Sequence, residues 1–424
     1  MYWTVHTSGG PKLVSNAAVA IGTSIFTFGG YCVDVDHTKF KPIDIHILDT
    51  EKLKWWKPEL NNQDCSCAPF MRYGHTAINL GSNIYLWGGF NGNRACNTLY
   101  CFNTETLKWT TPSVFGHKPE PRDGHSACII QNCMYIFGGY EEGSGLFASD
   151  LYMLNLHSME WSIVKTEGRP PSNRDYHTAT AIDNKMYIFG GRSDWAASRQ
   201  IDTDTYCSYI YYLDTSRGKW IRPNVYGSKP IARRSHSAFV KDGFFYIFGG
   251  FNKNKDLHFQ DIHRYDPVSS TWMKILPKGT PPCARRRQIC QLVNDRIFIA
   301  GGISPIFPKP VSITDQYVQF NANLKEHDDL HILDLSKILN FLSLSELQKK
   351  TISCISFFIE PSLKDMCMVN VWENMEEKKI DNINDLHIPL SLKHDMAAFH
   401  PFEIMETNID MMQSSEENLI VLLS

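Results

Sequence analysis

Residues 122–139 read "RDGHSACIIQNCMYIFGG": a short, β-rich apolar run that closes on a diglycine, with a histidine thirteen positions before the first glycine. The same construction recurs six times, as "SIFTFGG", "NIYLWGG", "CMYIFGG", "KMYIFGG", "FFYIFGG" and "RIFIAGG". The first glycines are Gly29, Gly88, Gly138, Gly190, Gly249 and Gly301, and thirteen positions before them stand Asn16, His75, His125, His177, His236 and Gln288. Downstream, a second alternating run ends in Asp or Asn, with tryptophan six residues later: Asp49 to Trp55, Asn103 to Trp109, Asn155 to Trp161, Asp214 to Trp220 and Asp266 to Trp272. A fixed internal period marks one supersecondary unit used repeatedly.

Each unit reads as four short strands with turns between them, at a period of roughly 50 residues, the pattern of a β-propeller blade. The glycines suit strand ends where only a missing Cβ lets a neighbouring backbone approach. The sixth unit lacks its last strand, because six residues after Asp334 comes Asn340 rather than tryptophan. "YWTVHTSGG" at the other end aligns with "KWTTPSVFG", so Trp3 is expected to supply the missing outer-strand tryptophan and close the ring, leaving no open sheet edge. The expectation is an all-β, six-bladed propeller over residues 1–335, closed by an N-terminal strand and followed by a short helical C-terminal tail.

A net charge of −3 and a pI near 6.6 give no overall basic field that would attract nucleic acid or an anionic membrane. The N-terminus carries no basic segment followed by an apolar core, and runs such as "CISFFI" are too short to span a bilayer. A soluble intracellular protein, cytoplasmic or nuclear, is expected. The 12 cysteines are scattered, with one Cys65-x-Cys67 pair and no paired CxxC sets, against both a zinc site and a secreted disulfide framework.

In a meandering blade, residues just before the histidines and just after the diglycines crowd one mouth. Three positions before the histidine site, five repeats carry arginine (Arg72, Arg122, Arg174, Arg233, Arg285), which implies a ring of cations there. Arg192, directly after its diglycine, Arg199 on the same loop, and Arg234 followed by Ser235 add to it. Guanidinium groups offer forked donors suited to a carboxylate. Against this stands a bracing role in which the repeated arginines pair blade to blade with Asp123 or Asp175, whereas Arg192, Arg199 and Arg234 depart from the repeat and so point to function. The histidines, one per blade, fit strand-start hydrogen bonding better than metal ligation.

The set of diglycine, Asp or Asn, and tryptophan resembles kelch repeats. The details "WTVH", "MRYGH", "RDGHSAC", "MYIFGGYE", "RRSHSAF" and "DLHILD" are similar to a small family of kelch propellers that serve as substrate receptors of cullin-2 RING ubiquitin ligases. The resemblance implies a mouth that captures protein C-termini, those ending in glycine above all, by clamping the terminal carboxylate with arginine and serine. Carried onto this chain it implicates Arg192 and Arg199; at the entrance to the fifth blade, where the family can use a serine beside an aromatic, this chain has Arg234 and Ser235 instead, with Arg174 a further candidate. Tyr140, Tyr176 and Trp195 would be flat walls. Asp123, Asp175, Asp194, Glu141 and Glu142 would be acidic neighbours favouring a basic residue before the glycine.

Beyond the propeller, residues 336–360 carry no blade pattern. In "PSLKDMCMVNVW" (361–372), Leu363, Cys367 and Val371 recur every four positions and would line one stripe of a helix. In the family this matches the box that binds elongin B/C through elongin C, and "IPLSLKHDM" (388–396) matches the cullin-2 box through Ile388, Pro389, Leu392 and Met396. Residues 361–396 are thus a helical partner-binding tail and 397–424 a disordered end. Substrate proteins, elongin B/C, and cullin-2 with its RING subunit are the expected partners; no catalytic residue, cofactor, metal, membrane or direct nucleic-acid contact is expected. The other readings are a kelch scaffold for chromatin or cytoskeletal proteins, and a copper oxidase, for which no Tyr/Cys/His constellation stands out. Fold alone confers no activity.

Overall fold

The computed structural model describes residues 1–6, 8–31, 41–60, 67–193, 205–306 and 324–335. The chain divides into two units, Met1–Leu339 and Asn340–Ser424. The second unit, and with it the tail residues Leu363, Cys367, Val371, Ile388, Pro389, Leu392 and Met396, lies outside the described residues, as do Asp194, Trp195 and Arg199.

Five blades are each built from four antiparallel strands in chain order, for example Ser126–Ile130, Cys133–Phe137, Leu151–Asn155 and Glu160–Ile163 in the third blade. The sixth takes Ile289–Val293, Arg296–Ala300 and Leu330–Asp334 from the end of the repeat and Tyr2–His6 from the start, with Trp3 opposite Leu333. The first strands of the six blades neighbour one another in a closed ring. The expected propeller and its N-terminal closure are therefore the observed fold. Trp3 packs on Phe248 of the fifth blade at 5.9 Å, the relation that Trp161 has to Trp87 (5.8 Å) and Trp220 to Phe137 (5.4 Å). Each such tryptophan is buried, and it seals its blade against the residue just before the preceding diglycine.

The other repeat positions have local causes. The Asp or Asn six residues before each tryptophan closes an Asx turn: Asn103 Oδ1 accepts from the amides of Glu105 (3.1 Å) and Thr106 (2.8 Å), and Asp214 does the same for Ser216 and Arg217. The diglycine is where blades meet. The second glycine donates its N–H to the next blade, Gly139 to Arg174 O (2.8 Å) and Gly191 to Arg233 O (2.9 Å). A Cβ on Gly190, whose φ is 70°, would stand 2.5 Å from Arg233 O and 2.6 Å from His236 Cε1, so only glycine fits.

The histidines act between blades. The hydroxyl that follows one histidine bonds the histidine of the next blade: Thr76 to His125 (2.8 Å), Ser126 to His177 (2.6 Å) and Thr178 to His236 (3.0 Å). Ser237 meets Gln288 Nε2 in the same place at 3.1 Å. All four histidines are buried and pushed down, by burial first and by the adjacent arginine next, so they are neutral at pH 7.

The chain of hydroxyls breaks at Ala17, in the repeat position that would serve His75, and at Ile289, in the position that would serve Asn16; both ring nitrogens of His75 and both amide atoms of Asn16 are buried without a partner among the described residues. Two opposite substitutions test this. Ser126→Ala is expected to destabilise the fold by about 1–2 kcal/mol by stranding His177, and Ala17→Ser to stabilise it by about 1 kcal/mol, read as urea midpoints. Equal and same-signed effects would show that the hydroxyls do not link the blades.

Candidate functional site

The residue two positions before each histidine site pairs, antiparallel, with the residue after the diglycine of its own blade. The six pairs are Val14 with Tyr31, Tyr73 with Phe90, Asp123 with Tyr140, Asp175 with Arg192, Arg234 with Phe251, and Arg286 with Ile303. The expected crowding at one mouth is thus present. One residue further in, Ser15, Gly74, Gly124, Tyr176, Ser235 and Arg287 all have left-handed φ between 48° and 67°. Their backbones form a closed ring of hydrogen bonds, each N–H donating to the carbonyl of the preceding blade: Gly74 to Ser15, Gly124 to Gly74, Tyr176 to Gly124, Ser235 to Tyr176, Arg287 to Ser235 and Ser15 to Arg287 (2.7–3.1 Å). These residues and the histidine row below them line a cavity of about 130 Å3 on the axis. Four of the six are not glycine, and each holds a conformation that disfavours a side chain, as functional sites commonly do.

The cation ring expected from Arg72, Arg122, Arg174, Arg233 and Arg285 is not at the mouth. All five are buried at 5% exposure or less. Each Nε donates to the carbonyl two residues earlier and each Nη1 to the first glycine of its own diglycine, as in Arg174 to Ser172 O (2.9 Å) and Gly190 O (2.8 Å). Arg122, Arg233 and Arg285 also grip Asp150, Asp261 and Asp329 of their own blades. They therefore brace each blade internally, with carboxylates other than Asp123 and Asp175, and Arg174 stands in the wall.

Position by position the mouth has three sectors. Tyr31, Tyr73 and Phe90 meet edge to face at 5.8 and 5.9 Å and form an aromatic side. Asp123 and Asp175 form an acidic side. Tyr176 donates its hydroxyl to Asp123 at 3.1 Å, and Asp175, 1% exposed, holds Arg192 through both carboxylate oxygens. Burial, with Asp175 adding to it, pushes Asp123 up to about 6 against the opposing pull of Tyr176, Arg192 and Arg287.

Arg192 also lies 4.9 Å above the ring of Phe147, and Tyr140, 39% exposed, packs edge-on against Phe147. Glu141 is taken by Arg122 (2.8 Å), and Glu142 accepts from the Ala95 amide (2.9 Å), so neither belongs to the acidic side.

The third sector is basic. Arg234 and Arg286 both face the ring of Phe251, at 5.9 and 4.3 Å, and Arg287 lies 5.5 Å over Tyr176. Burial, then Arg287 and Arg234, push Arg286 down to about 10, a sign of like charges held together. The Nε atoms of Arg286 and Arg287 are buried without an acceptor among the described residues. Ser235, 9% exposed, sits between the sectors on the backbone ring. Arg286 and Arg287 are the mouth residues that the spacing does not single out, because it marks their neighbour Arg285; the signal for them is the unbroken run "RRR" at 285–287.

Among the described residues no group of three His, Cys, Asp or Glu side chains is placed to hold a metal, and no helix is long and apolar enough to cross a membrane. Asp123 supplies a test of the acidic sector. Its folded pKa is raised, so its contribution favours the fold below pH 4 and is lost as the pH rises through about 6. Asp123→Asn is expected to stabilise the protein by about 1–2 kcal/mol at pH 7.5 and by almost nothing at pH 4. A pH-independent difference in urea midpoint would remove the claim that Asp123 is held against its ionisation.

Comparison with known proteins agrees with this architecture. Residues 74–302 match the KLHDC2/KLHL20/DRC7 Kelch-repeats domain. The chain is 43% identical over 346 residues to Kelch domain-containing protein 3 of Bos taurus, covering 80% of this chain and 88% of that one, and 43% identical over 345 residues to its Homo sapiens counterpart, with the same shares. Similarity to Kelch domain-containing protein 2 of Bos taurus is 24% over 264 residues, 56% of this chain and 64% of that one. Repeat, closure and relatives agree: the chain belongs to the kelch-repeat family, is a six-bladed propeller, and is similar in sequence to Kelch domain-containing protein 3.

Proposed function

We propose that this protein is the substrate-recognition subunit of a cullin-2 RING ubiquitin ligase, with a mouth that captures the C-termini of other proteins, those ending in glycine above all. The observation that carries the recognition half is the basic sector. Arg286 and Arg287, both half-buried, keep buried Nε donors with no acceptor among the described residues, beside Arg234, and guanidinium donors left in this state suit an anion that can accept forked hydrogen bonds. A chain end provides one carboxylate and little bulk. Glycine suits the place because the axial cavity of about 130 Å3 leaves room for backbone and little else. The acidic sector of Asp123 and Asp175 lies elsewhere on the same ring and favours a cation or amide a residue or two before the terminus. Arg192, held by Asp175, positions that wall and reaches a carboxylate only by exchanging partners.

The ligase half rests on the tail motifs: Leu363, Cys367 and Val371 for elongin C, and Ile388, Pro389, Leu392 and Met396 for cullin-2. Their order behind a kelch propeller is what supports it. In this reading the protein performs no chemistry, and ubiquitin transfer belongs to the assembled ligase.

Two measurements separate the halves. In fluorescence polarisation, a peptide ending in a free glycine carboxylate is expected to bind at least about tenfold more tightly than its amide, a loss of about 1.4 kcal/mol or more, and Arg287→Glu to abolish the difference. Equal affinity of acid and amide would rule out carboxylate capture. From cell extracts, Leu363→Ser combined with Cys367→Ser is expected to lose elongin C and cullin-2 while the glycine-ended peptide still binds. Failure of the unmodified protein to recover elongin would leave a kelch scaffold without a ligase role.

A further inference from the structure

Between the outer tryptophan of one blade and the brace arginine of the next runs a segment with a glycine of its own. Gly116, Gly168, Gly227 and Gly279 each stand seven residues after the tryptophan, and thirteen positions separate tryptophan from arginine in all four cases. That length lets the segment run parallel to the outer strand of the blade it is about to enter: Gly116 pairs with Trp161, Gly227 with Trp272, Glu167 with Lys219 and Lys278 with Tyr2. The edge is thereby closed, with the Trp220 amide donating to Glu167 O at 2.9 Å and His117 N–H to Trp161 O at 3.0 Å. A Cβ on any of the four glycines would stand 2.2–2.8 Å from the tryptophan carbonyl, so no other residue fits.

The first blade is the exception. Only ten positions separate Trp3 from Leu13, three fewer, and the segment takes another course: Gly10 donates to Asp328 O at 3.0 Å, and a Cβ on it would meet the indole of Trp55, not its carbonyl. Among the described residues nothing pairs with the outer side of Lys54–Trp56, where that sheet ends. Trp55 is accordingly half-buried, whereas Trp3, Trp109, Trp161, Trp220 and Trp272 are buried, and Trp56 beside it is 45% exposed. An outer strand in this state offers its amides and carbonyls to an added strand.

We propose that this edge is a docking site for an extended segment of another protein, one that carries an acidic residue followed by glycine. The fourth blade shows the fit. Its outer strand Lys219–Ile221 repeats the Lys-Trp of 54–55, and its own cap sets Glu167 opposite that lysine and brings Gly168 onto the carbonyl of that tryptophan. Lys54 is exposed and makes no ion pair among the described residues, so an acidic residue in the place of Glu167 is favoured. The occupant comes from outside the chain, because no glycine follows Gly302 and the stretches outside the described residues contain none. The proposal is independent of what the mouth binds.

The test uses the full chain, with the peptide IVKTEGRP (residues 163–170) as the probe. By hydrogen exchange and mass spectrometry, the amides of 53–56 are expected to exchange at least about tenfold faster than those of 218–221. The peptide at about 1 mM is expected to slow the first set alone. Gly168→Ala in the peptide is expected to abolish the slowing, and Lys54→Glu in the protein to raise the peptide concentration needed by about fivefold, with Glu167→Lys in the peptide restoring it. A second variant closes the edge from within: residues 221–232 in place of 4–12 restore the spacing of thirteen together with its glycine, and are expected to protect 53–56 without peptide and to remove the response to it. Equal exchange in the two strands, no response to the peptide, or a response that survives Gly168→Ala, Lys54→Glu or the closed edge would overturn the assignment.

Discussion

The contact on which the rest of the molecule depends is the approach of each diglycine to the segment entering the next blade. Its second N–H bonds the carbonyl of the residue three positions before the next histidine site, and the histidine or glutamine itself lies over the first glycine. No side chain fits between. That contact fixes the phase of neighbouring blades, and with it the depth of each residue on the entering segment. Packing this close is unforgiving, because rigid backbone on both sides leaves nothing to relax.

From that constraint follows a division of labour along three consecutive residues. The first, arginine in five blades, turns into the wall and braces its own blade. The second lies on the mouth, paired with the residue after the diglycine. The third closes the backbone ring around the axis in a left-handed conformation. Only the first is uniform. The second and third vary from blade to blade as Val, Tyr, Asp, Asp, Arg, Arg and as Ser, Gly, Gly, Tyr, Ser, Arg, and this variation creates the aromatic, acidic and basic sectors. The sectors work against stability: Asp123 is held against its ionisation, Arg286 is crowded by like charge, and Tyr176 and Arg287 adopt φ values that side chains disfavour. Left-handed residues other than glycine also occur at turns elsewhere, such as Leu53 and Met159, so what sets this ring apart is the set of charged side chains held on it.

The same geometry explains what was legible in the sequence. The spacing between glycine and histidine is a backbone contact, and Trp3 fills a place that five other tryptophans define, so blade count and ring closure could be read from one chain. The crowding at the mouth also followed from the order of strands. Depth did not. Arg285, Arg286 and Arg287 are one run in sequence but occupy wall, mouth and ring, and a repeat period gives no account of which way each turns. Asp150, Asp261 and Asp329, the true partners of the brace arginines, each precede the third strand and stand five positions before Asn155, Asp266 and Asp334, a fixed spacing whose meaning shows only once the arginines turn into the wall. Arg192 departs from the repeat and lies at the mouth as expected, yet its guanidinium belongs to Asp175 across the ribbon.

The departures gather where the ring closes. The first blade has Leu13 in place of the brace arginine, Asn16 in place of histidine and Ala17 in place of the linking hydroxyl, while the sixth offers Ile289 and Ala300. Side-chain links between blades are therefore thinnest at this seam. Other bonds bridge it: Gly302 donates to Leu13 O at 2.7 Å, as its counterparts do in other blades, and the side chains Gln291 Nε2 and Arg296 Nη2 donate to Ala18 O at 2.9 Å and Thr50 O at 3.2 Å. All three bonds, like the pairing of Trp3 with Leu333, join opposite ends of the propeller sequence. Loop-closure entropy thus falls on the junction with the fewest repeated side-chain bonds. The sheet that mixes both ends of the chain, and not any single blade, is where closure of the ring is decided.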